Sequence, residues 1–250
     1  MSRKEGKAVG LLNGKVALIT GASRGIGKAI ALAYAREGAK VFICARKEAG
    51  LRQAAQEIRS VGGDAGWCAV DVARAGEAKR LVCAVCDAYG AIHILVNNAS
   101  ILGPREPISR YPLSSWEEVL KVNLTALFVV TQEVLGVMIP QREGSIINLS
   151  SGVGRAGKGG WGAYAASKFG VEGFTQVLAD EVKEWNIRVN AVNPGATRTE
   201  MRARAYPQED PLTLPTPDEI TGAFLYLAAP DSQGVTGKSF DARDWLKKFN

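Results

Sequence analysis

The sequence predicts an α/β protein, a doubly wound parallel sheet with helices on both faces. Three observations lead there. Short β-branched runs alternate with longer helical patterns along the chain. The short runs are continuously apolar, as strands are when both faces of their sheet are covered. Crossovers between parallel strands are right-handed, which winds helices onto both faces. The 250 residues are 46% hydrophobic and 22% charged, ordinary values for a globular protein. With no shift in composition and no internal repeat, residues 1–250 read as one domain.

The elements follow in order. Residues 15–20 (KVALIT) form a strand, and 25–37 a helix closed by Gly38. A strand at 41–45 precedes a charged helix at 47–61, then a strand at 67–70, a helix near 77–89 and a strand at 92–96. A long helix covers 116–137, with a strand at 145–149 after it. The helix at 164–185 leads into a strand at 188–192, and a helix at 218–228 precedes a last strand near 239–240. The stretch 195–217, rich in Pro, Arg and Thr, is irregular, and its residues 196–217 are the expected lid over a substrate.

Composition excludes several functions. The net charge of +6 suits an anionic ligand, but Lys and Arg are scattered and not interleaved with aromatics, against a nucleic-acid role. A single histidine, His93, read as structural, leaves no basis for a Ser-His-Asp triad or a metal site. Cys44 and Cys68 fall in apolar runs, and Cys83 and Cys86 form a lone C-x-x-C, so all four thiols are read as structural. No apolar run approaches the roughly 20 residues of a membrane span. The polar, basic start lacks the apolar core of a secretory signal. Residues 1–13 are therefore expected to be a flexible tail, and the location cytoplasmic.

The first strand runs into Thr20-Gly21-Ala22-Ser23-Arg24-Gly25-Ile26-Gly27. Side chains at the three glycines would block the turn, the backbone's approach to a pyrophosphate, or the packing of helix on strand. The helix that starts there points free N–H groups and a positive dipole at the phosphates. After the second strand, a carboxylate would select a free 2′-hydroxyl; this chain has Ala45-Arg46-Lys47 instead. With Arg24 in the loop, cations converge where a 2′-phosphate would lie, and NADP(H) is expected over NAD(H).

Tyr164 and Lys168 open a later helix four residues apart, on one face. A free tyrosine, with a pKa of about 10, is a poor base at neutral pH. A neighbouring ammonium, with the positive nicotinamide of the oxidised cofactor, is expected to lower that value and prepare it for proton transfer. The strand 144–149 ends in Ser150-Ser151 at the sheet's C-terminal edge, where ligands of such folds bind. Ser151 can donate a hydrogen bond to a substrate carbonyl. Asn123 is an amide in an apolar helical stretch, which suits a buried structural hydrogen bond.

With these elements in this order, the chain resembles the short-chain dehydrogenase/reductase family. Asp71, Asn97-Asn98-Ala99 and Pro194-Gly195 match it as well, and the likeness covers about residues 15–237. The spacing from Ser151 to Tyr164 selects Ser151 over Ser150. The resemblance implies a Rossmann fold in which Tyr164 exchanges a proton with the substrate oxygen and Lys168 also holds the nicotinamide ribose. It implies that Asn123 holds a water of a proton relay and that Asp71 and Val72 contact the adenine. Asn97, Ala99, Pro194, Gly195 and Thr197 would line the cofactor, and Thr199 would fix the carboxamide; Gly21, Ser23, Arg24, Gly25, Ile26, Gly27 and Arg46 complete the set. No metal is expected.

Ser100 replaces the glycine of the family's Asn-Asn-Ala-Gly. Phe240-Asp241-Ala242-Arg243-Asp244-Trp245 replaces its Asp-Gly-Gly, which puts the usual C-terminal contacts in question. The motif style is that of the 3-oxoacyl-carrier-protein reductases. This suggests a carbonyl substrate borne on a carrier, which Arg198, Arg202 and Arg204 would meet unless they are ordinary solvated charges. A polyol, sugar or steroid dehydrogenase shares the same residues, and a non-catalytic dinucleotide sensor is the alternative from another class. By analogy, helices 116–137 and 164–185 would build a homotetramer.

Overall fold

The computed structural model describes residues 10–246. Among these described residues, seven parallel strands form one sheet in the order β3-β2-β1-β4-β5-β6-β7. They are β1 (Val16–Thr20), β2 (Lys40–Ala45), β3 (Asp64–Ala69), β4 (Ile94–Asn97), β5 (Gly144–Leu149), β6 (Ile187–Asn193) and β7 (Ser239–Asp241). The order reverses between β1 and β4, and there the C-terminal ends of the strands open a crevice.

The central strands are buried on both faces because each face carries its own helical layer. On one face lie α1 (Gly25–Arg36), α2 (Glu48–Ser60) and α8 (Gly222–Ala228), whose Ile30, Leu51, Ile58 and Phe224 pack on Ile19, Ile43 and Val96. On the other, α3 (Glu77–Tyr89), α5 (Ala126–Gln141) and α6 (Gly162–Glu181) set Leu81, Val134 and Leu178 against Leu18, Phe42 and Leu95. Alternate residues of β1 enter opposite cores, as the two-residue period of a strand requires. The doubly wound α/β fold is thus the one expected.

Four expectations are corrected. The helix of 116–137 is α4 (Leu113–Leu120) and α5 joined through a π turn, Lys121–Thr125. Asn123 lies in that turn and brackets Ile101, accepting from its N–H (2.8 Å) and donating to its carbonyl (2.9 Å), which holds the inserted residue in place. The run Leu113–Gln141 is long and apolar enough to cross a membrane by length and composition, although the sequence suggested no such run. Its Val130, Val134 and Met138 pack into the second core. The helix expected from 218 starts at Gly222, since Thr221 Oγ1 donates to the Asp218 carbonyl (2.8 Å) and closes a turn.

The fourth correction concerns the tail. Residues 1–9 of that segment lie outside the described residues, but 10–13 are anchored. Leu12 is fully buried and its N–H donates to the Glu37 carbonyl (2.9 Å). Burying a leucine is worth roughly 1.5–3 kcal/mol, which adds to this hydrogen bond in holding the segment. His93 is structural as expected: its Nδ1 accepts from the Val16 N–H (3.0 Å), and burial lowers its pKa.

Candidate active site

The crevice has a nucleotide end and a proton-transfer end. At the first, β1 turns into α1 through Gly21 and Gly25, whose φ angles are +66° and +58°. Only glycine enters this region without strain. A Cβ on Gly21 would stand 2.8 Å from the Ala99 Cα, and one on Gly27 2.5 Å from the Asn98 Nδ2. At Gly25 the space is open, its nearest neighbour being the Thr199 Cγ2 at 3.9 Å. Arg24 at the N-cap makes no side-chain bond to the first turn of α1, so those N–H groups stay available to an anion.

Two residues that sequence reasoning did not single out pin this turn. Asn98 Nδ2 donates to the carbonyls of Thr20 (2.8 Å) and Gly21 (3.0 Å), and Thr20 Oγ1 accepts from the N–H groups of Asn98 and Ala99 (both 3.0 Å). Asn97 points elsewhere, donating to Thr131 Oγ1 (3.0 Å) and Asn148 Oδ1 (2.9 Å) in the core. Its side chain is thus a brace between strands. Ser23 packs on Gly50 at the start of α2, and Ile26 is half-buried against the first core. Val72 and Ala99 border a void of about 10 Å³ behind the turn.

A cavity of about 340 Å³ opens beside β2 and β3, lined by Arg46, Ala69, Val70, Asp71, Arg74 and Glu77. Arg46 is exposed and makes no ion pair among the described residues. Asp71 accepts from the Ala73 N–H (3.1 Å) and faces Arg74 at 3.7 Å, which adds a second cation to the wall. Arg24, expected here, has a largely exposed side chain that forms an ion pair with Glu200 of α7 (Glu200–Ala205), which crosses over the loop. The residues present fit a dinucleotide: a glycine cradle, free N–H groups and a cation-lined cavity.

At the other end, Tyr164, Lys168 and Glu172 follow one another at four-residue intervals along α6. Ser151 ends the loop after β5 beside the phenol, while Ser150 is buried and donates to Glu172 Oε1 (2.5 Å). The structure therefore separates the two serines as the spacing did. Burial pushes the Tyr164 phenol up to about 12; the hydroxyls of Ser151 and then Ser100 favour the phenolate and oppose this in part. Burial thus outweighs the lowering expected of the phenol, and the charge that would favour its phenolate is that of Lys168. Its Nζ donates to the Leu149 carbonyl (2.7 Å) and stands 5.6 Å from the phenol ring centre. Burial lowers Lys168 to about 8, against the opposing charge of Glu172. Asn123 joins this end through Nδ2, which donates to Ser167 Oγ (3.2 Å).

Glu172 also escaped the sequence reading. It is buried and accepts from Ser239 Oγ (2.9 Å) and Arg155 Nε (3.2 Å) besides Ser150. Arg155 continues to Asp241 (2.8 Å), so the atypical C-terminal segment is tied to the end of β5. The signal was a helical one, a carboxylate a further turn beyond Lys168.

The segment 196–217 covers both ends and is laced to itself. Gly195, at φ +70°, receives Arg243 against its α-carbon, and Arg243 Nη2 donates to the Ala196 carbonyl (2.6 Å). Thr197 is buried and donates to the Pro194 carbonyl (3.1 Å), while Thr199 caps α7 by accepting from the Arg202 N–H (3.1 Å). All three lid arginines have partners within the lid. Arg198 donates to the carbonyls of Pro211 and Leu214, Arg202 grips Glu209 at 2.5 and 2.6 Å, and Arg204 pairs with Glu200.

Residues 15–210 match the family model described as short chain dehydrogenase. The chain belongs to the short chain dehydrogenase family. Its members are oxidoreductases acting on CH–OH and C=O groups, and so is this protein. This short chain dehydrogenase is 42% identical to the Escherichia coli K12 oxidoreductase YciK over 95% of each chain. It is 39% identical to the 3-oxoacyl-[acyl-carrier-protein] reductase FabG of Vibrio cholerae, over 91% of this chain and 95% of that one. Among solved structures, a short chain dehydrogenase of Escherichia coli CFT073 complexed with NADPH superposes with a TM-score of 0.90 at 42% identity, covering 95% of this chain and 100% of that one.

Proposed function

We propose that this short chain dehydrogenase is an NADP(H)-dependent carbonyl reductase, running as an alcohol dehydrogenase in reverse. The observation that carries the reading is Tyr164 on the same face of α6 as Lys168, with Ser151 beside its phenol and the glycine turn at the head of the same crevice. The solved relative bound to NADPH, and a Shigella flexneri one complexed with NADP at 42% identity, support the cofactor. So do Arg46 and Arg74 on the cavity wall.

Gly21, Ser23, Gly25, Ile26 and Gly27 would hold the pyrophosphate, Asp71 and Val72 the adenine, and Ala99, Pro194, Gly195, Thr197 and Thr199 the nicotinamide half. When bound, the reduced nicotinamide supplies a hydride to the carbonyl carbon. Ser151 donates a hydrogen bond to the carbonyl oxygen, and Tyr164 gives that oxygen its proton. Lys168 stabilises the phenolate left behind and holds the nicotinamide ribose. Asn123 keeps the loop at Ile101 in place and sits in the π turn where a relay water would be held.

The FabG relative supports a 3-oxoacyl thioester as substrate, and a polyol, sugar or steroid is the alternative. NADPH oxidation with ketones, 3-oxoacyl thioesters and sugars tests the reading. Tight NADPH binding without turnover of any of them would favour a sensor. The single sheet running through the described residues supports treating 1–250 as one catalytic domain, with the cytoplasm as its proposed location. Phe128, Phe169 and Val177, apolar and exposed on α5 and α6, support assembly into a homotetramer.

A further inference from the structure

One corner of the crevice carries charge that nothing among the described residues neutralises. The Arg105 guanidinium lies over the Trp161 ring, 4.3 Å from its centre, and 5.2 Å from that of Tyr206. It donates through Nε to the Gly160 carbonyl (3.1 Å) and through Nη1 to the Ala205 carbonyl (2.9 Å). Arginine has five N–H donors, so these straps leave three. Lys158 Nζ donates to the Tyr206 hydroxyl (3.2 Å), and Arg202 stacks on the same ring at 3.9 Å. Glu209 neutralises Arg202. No carboxylate among the described residues pairs with Arg105 or Lys158.

A second observation is independent of charge. Trp161 is 7% exposed, and its indole N–H is buried without a hydrogen-bond partner. A buried donor left unpaired costs about 1–3 kcal/mol, which an arriving acceptor relieves. The Trp161 ring is tilted against Tyr164, their centres 5.5 Å apart. An acceptor in this corner is therefore one indole away from the phenol.

We propose that Arg105, Lys158 and the Trp161 N–H bind a carboxylate of the substrate, whose carbonyl then reaches Tyr164. The substrate class is a small oxo acid, with carbonyl and carboxylate a few carbons apart. This rests on the reading of Tyr164 as proton donor. A carboxylate accepts from a guanidinium, an ammonium and an indole N–H together, and each bond to a charged donor is stronger than a neutral one. The Tyr206 phenol reports the same field. Burial opposes its ionisation, yet the Lys158 hydrogen bond and the charges of Lys158, Arg202 and Arg105 bring it below its ordinary value. The cations lie over aromatic faces, which adds cation–π attraction to the contacts that hold them in this corner.

The test measures binding of 3-benzoylpropionate, a 4-oxo acid, and of its neutral amide to the NADPH-loaded protein by calorimetry, with NADPH oxidation followed in parallel. We expect the acid to bind at least tenfold more tightly than the amide. Trp161→Phe, which keeps a ring and removes the N–H, and Lys158→Gln should each cut that preference three- to tenfold. Equal affinity for acid and amide, or a preference that both variants retain, overturns the proposal. Turnover separates this outcome from failure of the reductase reading. Neutral ketones reduced without any preference for the acid would leave that reading standing and remove the oxo-acid site. An acid bound selectively while no carbonyl compound is reduced would do the reverse.

Discussion

Glu172 stands one helical turn beyond Lys168 on α6 and counters the burial that brings the lysine down to about 8. The pair sets how long Lys168 stays charged as pH rises. In the reducing direction, Tyr164 must enter as a phenol and leave as a phenolate, which a charged Lys168 stabilises. Reduction should therefore be fastest below about pH 8 and decline as pH climbs through that value. Glu172→Gln removes the supporting charge and leaves desolvation unopposed, so the decline should shift to lower pH. Profiles of kcat against pH for the two proteins check this, and an unmoved alkaline limb would refute the coupling.

The same lysine makes a stability prediction of definite sign. Its folded pKa of about 8 lies below the ordinary 10.5, so burial penalises the charged form. The penalty is fully present below about pH 8. Between there and 10.5 the unfolded chain binds more protons than the folded one, and stability rises with pH. A shift of this size corresponds to about 3 kcal/mol. Lys168→Met should thus abolish activity yet unfold at a higher denaturant concentration than the parent at pH 7. The difference should shrink as the pH approaches 10.5.

The sheet, its order of elements and the Ser151–Tyr164–Lys168 set were legible because each is written locally. Continuous apolar runs mark buried strands, and four-residue spacing marks one helix face. Features that depend on a distant partner were not. Arg24 is captured by Glu200, 176 residues away, and Leu12 is fixed by its burial and by Glu37. The π turn at Asn123 answers to the backbone of Ile101. The phenol's expected lowering failed because spacing shows which groups are neighbours but not how deeply they are buried, nor that Lys168 would turn to the Leu149 carbonyl.

Cofactor choice is predicted to rest on Arg46 more than on Arg24. Arg46 has no carboxylate partner among the described residues and lines the cavity with Arg74, whereas Arg24 is engaged by Glu200. Arg46→Asp replaces attraction by repulsion at a 2′-phosphate and should raise the Kd for NADPH far more than that for NADH. Arg24→Ala should change the ratio of the two little. Fluorescence titrations with each cofactor decide it, and equal weakening of both by Arg46→Asp would remove the 2′-phosphate from this cavity.

Tyr164→Phe isolates the phenol from everything around it. The ring should keep its packing against Trp161, 5.5 Å between centres, and only the hydroxyl is lost. General acid catalysis is worth about 10²–10⁴-fold, so kcat for reduction should fall by at least that much. Binding of NADPH, by calorimetry, should stay within about twofold, since the glycine turn and the cation-lined cavity are untouched. Ser151→Ala should act on the same step from the other side. Removing the hydroxyl that favours the phenolate raises the phenol's pKa further and withdraws a donor from the substrate oxygen, so kcat should fall there as well. Retained turnover in Tyr164→Phe would move the proton donor to another group and leave Ser151 and Lys168 without their assigned roles.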